Sequence, residues 1–255
     1  MVENNELERL YQAISWRKSV RKYRPEPLAP EVLQEVRRVA CATTALDDSL
    51  AVAFSVVSPH QIKGLVSAKS PHYLALYAKG GLESLTNAAF RLQQMDLWFS
   101  AQGYGSCWLG MPNMTQELAA CDGLPFVVML AFGAPAEEAK RGSLAEFKRK
   151  ALPAISTLPE ADGLLEALRL APSASNRQPW KVTGDATTLR LHIKQDGFVG
   201  KRLFGAMRYS DAGIALCHLW LSAVHAGTFA AINREVSPPD TPEGYDYFYS
   251  VALEP

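Results

Sequence analysis

Leu97-Trp-Phe-Ser-Ala-Gln-Gly-Tyr-Gly105 recurs later in the chain as Leu219-Trp-Leu-Ser-Ala-Val-His-Ala-Gly227. Leu-Trp, a hydrophobe, Ser-Ala and the closing glycine stand in register, so the pair reads as one structural unit used twice. Upstream, Leu33-Gln-Glu-Val-Arg-Arg-Val-Ala40 lines up with Leu164-Leu-Glu-Ala-Leu-Arg-Leu-Ala171, both apolar at helical spacing. Each half then offers a run with the alternation of a half-buried strand, Tyr73-Leu-Ala-Leu-Tyr-Ala-Lys79 and Leu189-Arg-Leu-His-Ile-Lys194. Each also closes on another, Phe126-Val-Val-Met-Leu-Ala-Phe132-Gly133 and Tyr247-Phe-Tyr-Ser-Val-Ala252. The order helix, strand, strand, long helix, strand predicts an α+β fold built twice, by internal duplication. Between the halves, the polar stretch from Pro135 to Lys150, followed by Pro153 and Pro159, suits a surface connection. It sets a boundary near residue 155, giving halves 1–155 and 156–255. Neither half alone has much core, which predicts that the two pack on each other as an intramolecular pseudo-dimer.

Composition narrows the function. With 255 residues, 48% hydrophobic and 20% charged, the chain lies in the globular range, which excludes a disordered, collagenous or disulfide-scaffold protein. Lysine plus arginine (26) equals aspartate plus glutamate (26), so no bulk basic field draws nucleic acid or an anionic membrane, and any anion site must be local. The four cysteines, Cys41, Cys107, Cys121 and Cys217, show neither a C-x-x-C pair nor zinc-type spacing. The first residues carry neither a basic n-region nor an apolar h-region, and no run reaches the ~18 apolar residues of a spanning helix. The expectation is a reduced, cytoplasmic protein without a structural metal.

Three polar clusters stand out. Arg17-Lys-Ser-Val-Arg-Lys-Tyr-Arg24 ends an amphipathic opening helix marked by Leu7, Leu10, Ala13 and Ile14, just before Pro25 and Pro27. Cations with a hydroxyl suit a phosphate, because guanidinium pairs bidentately with phosphate oxygens. The same cations equally suit a solvated helix end facing the C-terminal dipole. Ala171-Pro-Ser-Ala-Ser-Asn-Arg-Gln-Pro-Trp180 is a dense polar break between a helix and a strand; turn chemistry accounts for much of it, but Trp180 is odd in an exposed turn and points to a ligand wall. Gly103-Tyr-Gly-Ser-Cys-Trp-Leu-Gly110 is not a dinucleotide fingerprint, since Trp108 takes the third glycine's place and the segment follows a helix. Its first glycines suit a helix C-cap, and Gly110 allows backbone N–H groups close to a planar ligand. His218 and His225 share a helical face but lack partner ligands, and Cys107 has no base nearby in sequence. H-E-x-x-H, G-x-S-x-G and P-loop motifs are missing, so no protein-side nucleophile or metal is expected to carry the chemistry.

Together, Arg17-Lys-Ser-Val-Arg21, the Pro-Ser-x-x-Asn-x-Gln-Pro-Trp of residues 172 to 180 and the Gly-x-Gly-Ser-Cys-Trp-x-Gly of residues 103 to 110 resemble signatures of the FMN-dependent nitroreductase family. In ordinary members the first two motifs stand close together in one subunit, and an obligate homodimer carries two FMN sites. Here Cys41-Ala-Thr-Thr-Ala-Leu-Asp-Asp-Ser49 occupies the place of the Pro-Ser-x-x-Asn loop in the first half, while the second half keeps that loop and lacks the arginine motif. These complementary losses resemble the family's single-chain tandem branch, which retains one of two flavin sites. The resemblance implies the nitroreductase fold and assigns roles by position. Arg17, Lys18, Ser19 and Arg141, with Lys140 as a companion, would hold the FMN phosphate and ribityl chain, and Arg21 would lie near the N1/O2 edge. Leu109 and Gly110 would face N5, Lys63 with His60 would face the pyrimidine edge, and Pro172, Ser173, Ala174 and Asn176 would form the opposite wall.

The activity so implied is an FMN-dependent NAD(P)H oxidoreductase reducing nitroaromatics, quinones or similar conjugated acceptors by ping-pong hydride transfer. No catalytic side chain is needed, because the flavin carries the chemistry. The partners implied are small-molecule acceptors, with neither nucleic acid nor membrane, and the chain would act as a monomer. The alternatives are a non-catalytic FMN carrier or sensor and a specialised flavin reaction such as reductive dehalogenation or ene reduction. On this reading Arg17→Ala weakens FMN binding and leaves the FMN-free protein's stability nearly unchanged.

Overall fold

The opening amphipathic segment forms α1 (Asn4–Ile14), which buries Leu10, Ala13 and Ile14. The computed structural model describes residues 4–63, 68–110, 113–114, 119–158, 161–197, 207–236, 238 and 241–254. α2 (Pro30–Ala42) begins on a proline, whose missing N–H is no loss in a first turn. Next come β1 (Val52–Val57), β2 (Ile62–Lys63), β3 (His72–Ala78) and the 20-residue α3 (Leu82–Ala101). β4 (Gly105–Leu109), β5 (Asn113–Met114), β6 (Ala120–Cys121) and β7 (Leu124–Gly133) complete the first half. α4 (Leu152–Ile155) lies in the connection, and the second half contains α5 (Asp162–Leu170), β8 (Trp180–Gly184), β9 (Thr188–Lys194), the 20-residue α6 (Met207–Ala226), β10 (Phe229–Asn233) and β11 (Tyr245–Leu253).

Two antiparallel sheets share one plan. The first runs β1-β3-β7-β4, with β6 paired to the start of β7; the second runs β8-β9-β11-β10. In both, the first, second, fourth and third strands lie side by side, and the long helix enters between the second and third. Each four-strand path thus has two strands after the long helix where periodicity predicts one. β4 escapes detection because Gly-Ser-Cys carries little strand propensity. β3 is also buried on both faces, not half-buried: Leu74 and Leu76 face the main core, and Tyr73, Ala75 and Tyr77 a second cluster with Cys107, Leu109 and Met129.

The quoted repeat ends both long helices in the same way. Gly103 (φ +80°) and Gly227 (φ +72°) take the left-handed conformation. Past them the N–H of Tyr104 bonds the Phe99 carbonyl at 2.8 Å, and that of Thr228 the Ala223 carbonyl at 3.0 Å. This six-to-one bond is the Schellman cap, so the C-cap reading holds for Gly103, whereas Gly105, the second glycine of that segment, opens β4. α3 and α6 pack directly on each other. A Cβ at Gly213 would stand 2.3 Å from the Thr86 carbonyl oxygen, so only glycine permits the approach. The main core runs continuously through residues of both halves, with Phe90 of α3 against Trp220 of α6 at 5.2 Å between ring centroids. Among the described residues no helix is long and apolar enough to cross a membrane, and no group of three or more His, Cys, Asp or Glu side chains is placed to hold a metal.

Candidate active site

The chain leaving α1 runs along β4 as an extra extended segment: Val20 N–H bonds the Ser106 carbonyl at 2.9 Å, and Arg17 bridges to Lys140. That path carries the Arg17 side chain inward. It is 1% exposed, and its Nε donates to Asp96 Oδ2 at 2.6 Å while its terminal nitrogen donates to Ser19 Oγ at 2.8 Å. Asp96, on α3 and fully buried, also accepts from Ser106 Oγ at 2.6 Å and Gln93 Nε2 at 3.3 Å. The solvated-helix-end reading of Arg17 is therefore excluded.

Gln93 has its amide orientation set by its neighbours. The His218 Nδ1 faces the Ala167 carbonyl at 2.8 Å, which only a protonated nitrogen can use, so Nε2 is left to accept from Gln93 Nε2 at 3.2 Å. Gln93 Oε1 accepts from the Trp108 indole N–H at 3.1 Å. A satisfied buried chain thus runs from α5 through α6 and α3 to Arg17. Burial holds the His218 imidazole neutral, its pKa down to about 3. His218 is accordingly a core histidine; His225 lies on the surface, stacked on Tyr11 and bonded to Glu8.

The segment expected to be a surface connection folds into the site. Phe147 is 1% exposed, and the guanidinium groups of Arg141 and Arg149 lie over its ring at 4.1 and 5.7 Å. Arg141 also donates to the Arg17 carbonyl. Burial, reinforced by the charge of Arg17, brings both Arg141 and Arg149 down to about 10. Three guanidinium groups thus gather where one buried carboxylate, Asp96, is already engaged. Lys140 turns away from them, its Nζ over the Trp16 ring at 4.7 Å.

The opposite wall is built under strain. Ser175, Asn176 and Gln178 all have positive φ (51°, 55° and 48°), a conformation that costs about 1–3 kcal/mol each outside glycine, less for Asn. Hydrogen bonds hold it. Gln178 N–H donates to Ser173 Oγ at 2.8 Å, Gln178 Oε1 accepts from the Lys150 N–H at 2.7 Å, and Asn176 Nδ2 donates to the Lys148 carbonyl at 3.1 Å. Arg149 donates to Asn176 Oδ1, joining cradle to wall. From α6, Asp211 Oδ1 accepts from the Ala174 N–H at 2.9 Å.

Cradle and wall enclose one cavity of about 900 Å³. Of the residues expected at the site, Arg17, Lys18, Ser19, Arg21, Leu109 and Gly110 line it from the first half, as do Arg141 from the connection and Pro172, Ser173, Ala174 and Asn176 from the second. Lys63 pairs its backbone with Asn113 in the β2–β5 ladder, and its side chain lies outside the described residues. Trp180 is 1% exposed in the core and is not part of the lining. Cys107 does line the cavity, but burial pushes its thiol up, away from the thiolate a nucleophile needs. Asp96, Phe147, Arg149 and Asp211 have no counterpart among the residues singled out in the sequence. The signal for Phe147 was a lone aromatic in a lysine- and arginine-rich stretch.

A neutral chain that folds twice on one plan and gathers guanidinium groups at a cavity lined by its first sheet, the 172–176 loop and the start of α6 has the architecture of a nitroreductase-type oxidoreductase. The profile of the family described as "Putative TM nitroreductase" matches residues 9–223, and the chain belongs to that family. A nitroreductase of Thermotoga maritima shares the fold, with a TM-score of 0.66 and 22% identity over 96% of this chain and 94% of that one. An FMN-dependent nitroreductase of Clostridium difficile overlaps 55% of this chain and 93% of its own, at 18% identity and a TM-score of 0.44. A nitroreductase of Desulfovibrio desulfuricans, solved in complex with FMN, overlaps 56% of this chain and 96% of its own, at 20% identity and a TM-score of 0.42. No protein of curated function matches the sequence.

Proposed function

We propose that this oxidoreductase binds one FMN in the cavity between residues 1–155 and 156–255, and passes electrons from NAD(P)H to nitroaromatics, quinones or similar conjugated acceptors. The observation that carries this reading is the excess of positive charge: Arg17, Arg141 and Arg149 line one cavity, burial and then the charge of Arg17 lower the proton affinity of the other two, and Asp96 is already committed. A phosphomonoester, close to two negative charges with strong acceptor oxygens, relieves that excess, and Ser19 adds a neutral donor. The residues present therefore fit the group.

Bound there, FMN would supply hydride transfer at N5. Arg21 would stand by the N1/C2=O edge and favour the reduced form electrostatically. Leu109 and Gly110 would offer backbone to the N5 side, and the strained wall from Pro172 to Asn176 would cover the ring. One site per chain is supported by the repeat: with Leu97 matched to Leu219, the position of Asp96 is taken by His218, a neutral group that cannot balance a second arginine. The chain is accordingly proposed to work as a monomer with two unequal halves.

The test is an absorption spectrum of protein desalted after mixing with FMN, followed by anaerobic titration with NADH or NADPH. One flavin per chain, bleached by the nicotinamide, is the expected result. Two per chain would refute the single site, colour without bleaching would indicate a carrier, and no retained flavin would sink the cofactor assignment. Parallel double-reciprocal lines in steady-state kinetics are expected for serial occupancy of one pocket; intersecting lines would argue against it.

A further inference from the structure

We propose that Asp211 is a catalytic proton donor of this site, delivering a proton to a neutral quinone-type acceptor as that acceptor is reduced. The proposal rests on the cofactor reading above and adds a residue to it that neither the motifs nor the repeat single out.

Its place in the fold supports the role. Met207, Ser210, Asp211 and Ile214 all line the cavity, and their spacing puts them on one face of the first turns of α6. A Cβ at Gly110 would lie 3.7 Å from Met207 Cε, so this helical face stands beside the backbone assigned above to the reacting edge. Asp211 is one turn further along, 2% exposed, with a single hydrogen bond, from the Ala174 N–H. A neutral carboxyl satisfies this arrangement: its carbonyl oxygen accepts from Ala174, and its O–H remains to face the cavity.

The surrounding charges agree. Burial drives the carboxyl up to about 7, against the Ala174 hydrogen bond and Arg177 and with the help of Asp196. Arg177, from the loop after the wall, is ion-paired to Asp196 just past β9, and Arg208 on the same helix as Asp211 is ion-paired to Asp246. Near neutral pH the group thus exchanges its proton readily, the condition for a general acid. In the step, the acceptor gains a hydride with its electron pair from a two-electron-reduced flavin. The Asp211 O–H bond breaks, its proton completes the hydroquinone, and the carboxylate is reprotonated by water.

The test uses Asp211→Asn, which keeps an oxygen for the Ala174 N–H but cannot release a proton. Retained flavin is measured by absorbance after desalting, and reoxidation of the pre-reduced protein by 1,4-benzoquinone is followed across pH. Expected are wild-type flavin content, a rate lowered at least about tenfold near pH 6, and loss of the wild-type decline as pH rises through about 7. A variant with the wild-type rate and pH profile overturns the proposal. Flavin missing from the wild-type protein would defeat the cofactor reading itself. Should only the variant lose flavin or fail to fold, infrared titration of the wild-type protein decides. A protonated-carboxyl band that persists above about pH 6 and vanishes through about 7 upholds the donor; none above about pH 6 overturns it.

Discussion

Arg17 and Asp96 exchange a buried hydrogen bond of 2.6 Å, and this revises what substitution at Arg17 does. Removing one partner of a buried pair leaves the other uncompensated, so Arg17→Ala should lower the stability of the FMN-free protein by about 3–5 kcal/mol, where exposure at a helix end implied almost no change. Urea titration reads this directly. Arg17→Met combined with Asp96→Leu should recover part of that loss, because apolar groups replace the charged pair but Ser106 Oγ and Gln93 Nε2 lose their acceptor, while flavin binding stays weakened by roughly 1.5–3 kcal/mol. Recovery of both would mean that Arg17 serves only the fold. The cation cluster and the Pro-Ser-x-x-Asn loop were visible in the sequence because several unusual residues stand together. Asp96 was not, since a lone carboxylate in a long helix looks like an ordinary solvated position until its partner, 79 residues earlier, is folded against it. Arg149 was hidden among neighbouring lysines for the same reason.

Among the elements, the crossing of α3 and α6 depends on Gly213. Gly213→Ala gains about 1 kcal/mol of helix propensity, but the new methyl meets backbone of α3 at 2.3 and 2.7 Å, which cannot yield as a flexible side chain would. Overpacking of this kind costs about 1–3 kcal/mol, so a net fall in melting temperature is expected, measured by calorimetry; a rise would show that the helices separate without penalty. The repeated Leu-Trp segment made both long helices and their glycine caps legible, since apolar spacing and a following glycine are local signals. β4 was not legible, because Gly105, Ser106 and Cys107 gain their strand conformation from pairing with Gly133, Phe132 and Ala131 of β7. The burial of β3 on both faces was equally non-local, as the second apolar cluster is assembled from β1, β4 and β7.

For the molecule as a whole, three buried groups with large shifts weigh on the pH dependence of stability, and His72, lowered by burial as well, adds to the histidine side. His192 and His218 are held neutral chiefly by burial, at about 4 and about 3, whereas in the unfolded chain each binds a proton below about 6.5. Stability therefore falls as pH drops from about 6.5 towards the folded values, by roughly 1.4 kcal/mol per pH unit for each histidine. Asp211 acts in the opposite sense: its raised pKa means stability is lost as pH rises from about 4 through about 7. Two terms outweigh one, so these groups make the protein weaker at about pH 5 than at about pH 6.5, and Asp211→Asn should steepen the difference. Urea midpoints across this range measure it; a flat profile in the wild type would show that the histidines titrate normally in the folded state.

The cavity takes its lining from residues 17–19 and 21, from the connection at 141 and 146–149, and from the wall at 172–176, all on one covalent chain. A site shared between two separate subunits comes apart on dilution, and its apparent affinity drifts with the amount of protein present. Here the facing surfaces meet at the effective concentration fixed by their tether, so occupancy should follow the ligand alone, down to the lowest abundance at which the chain is made.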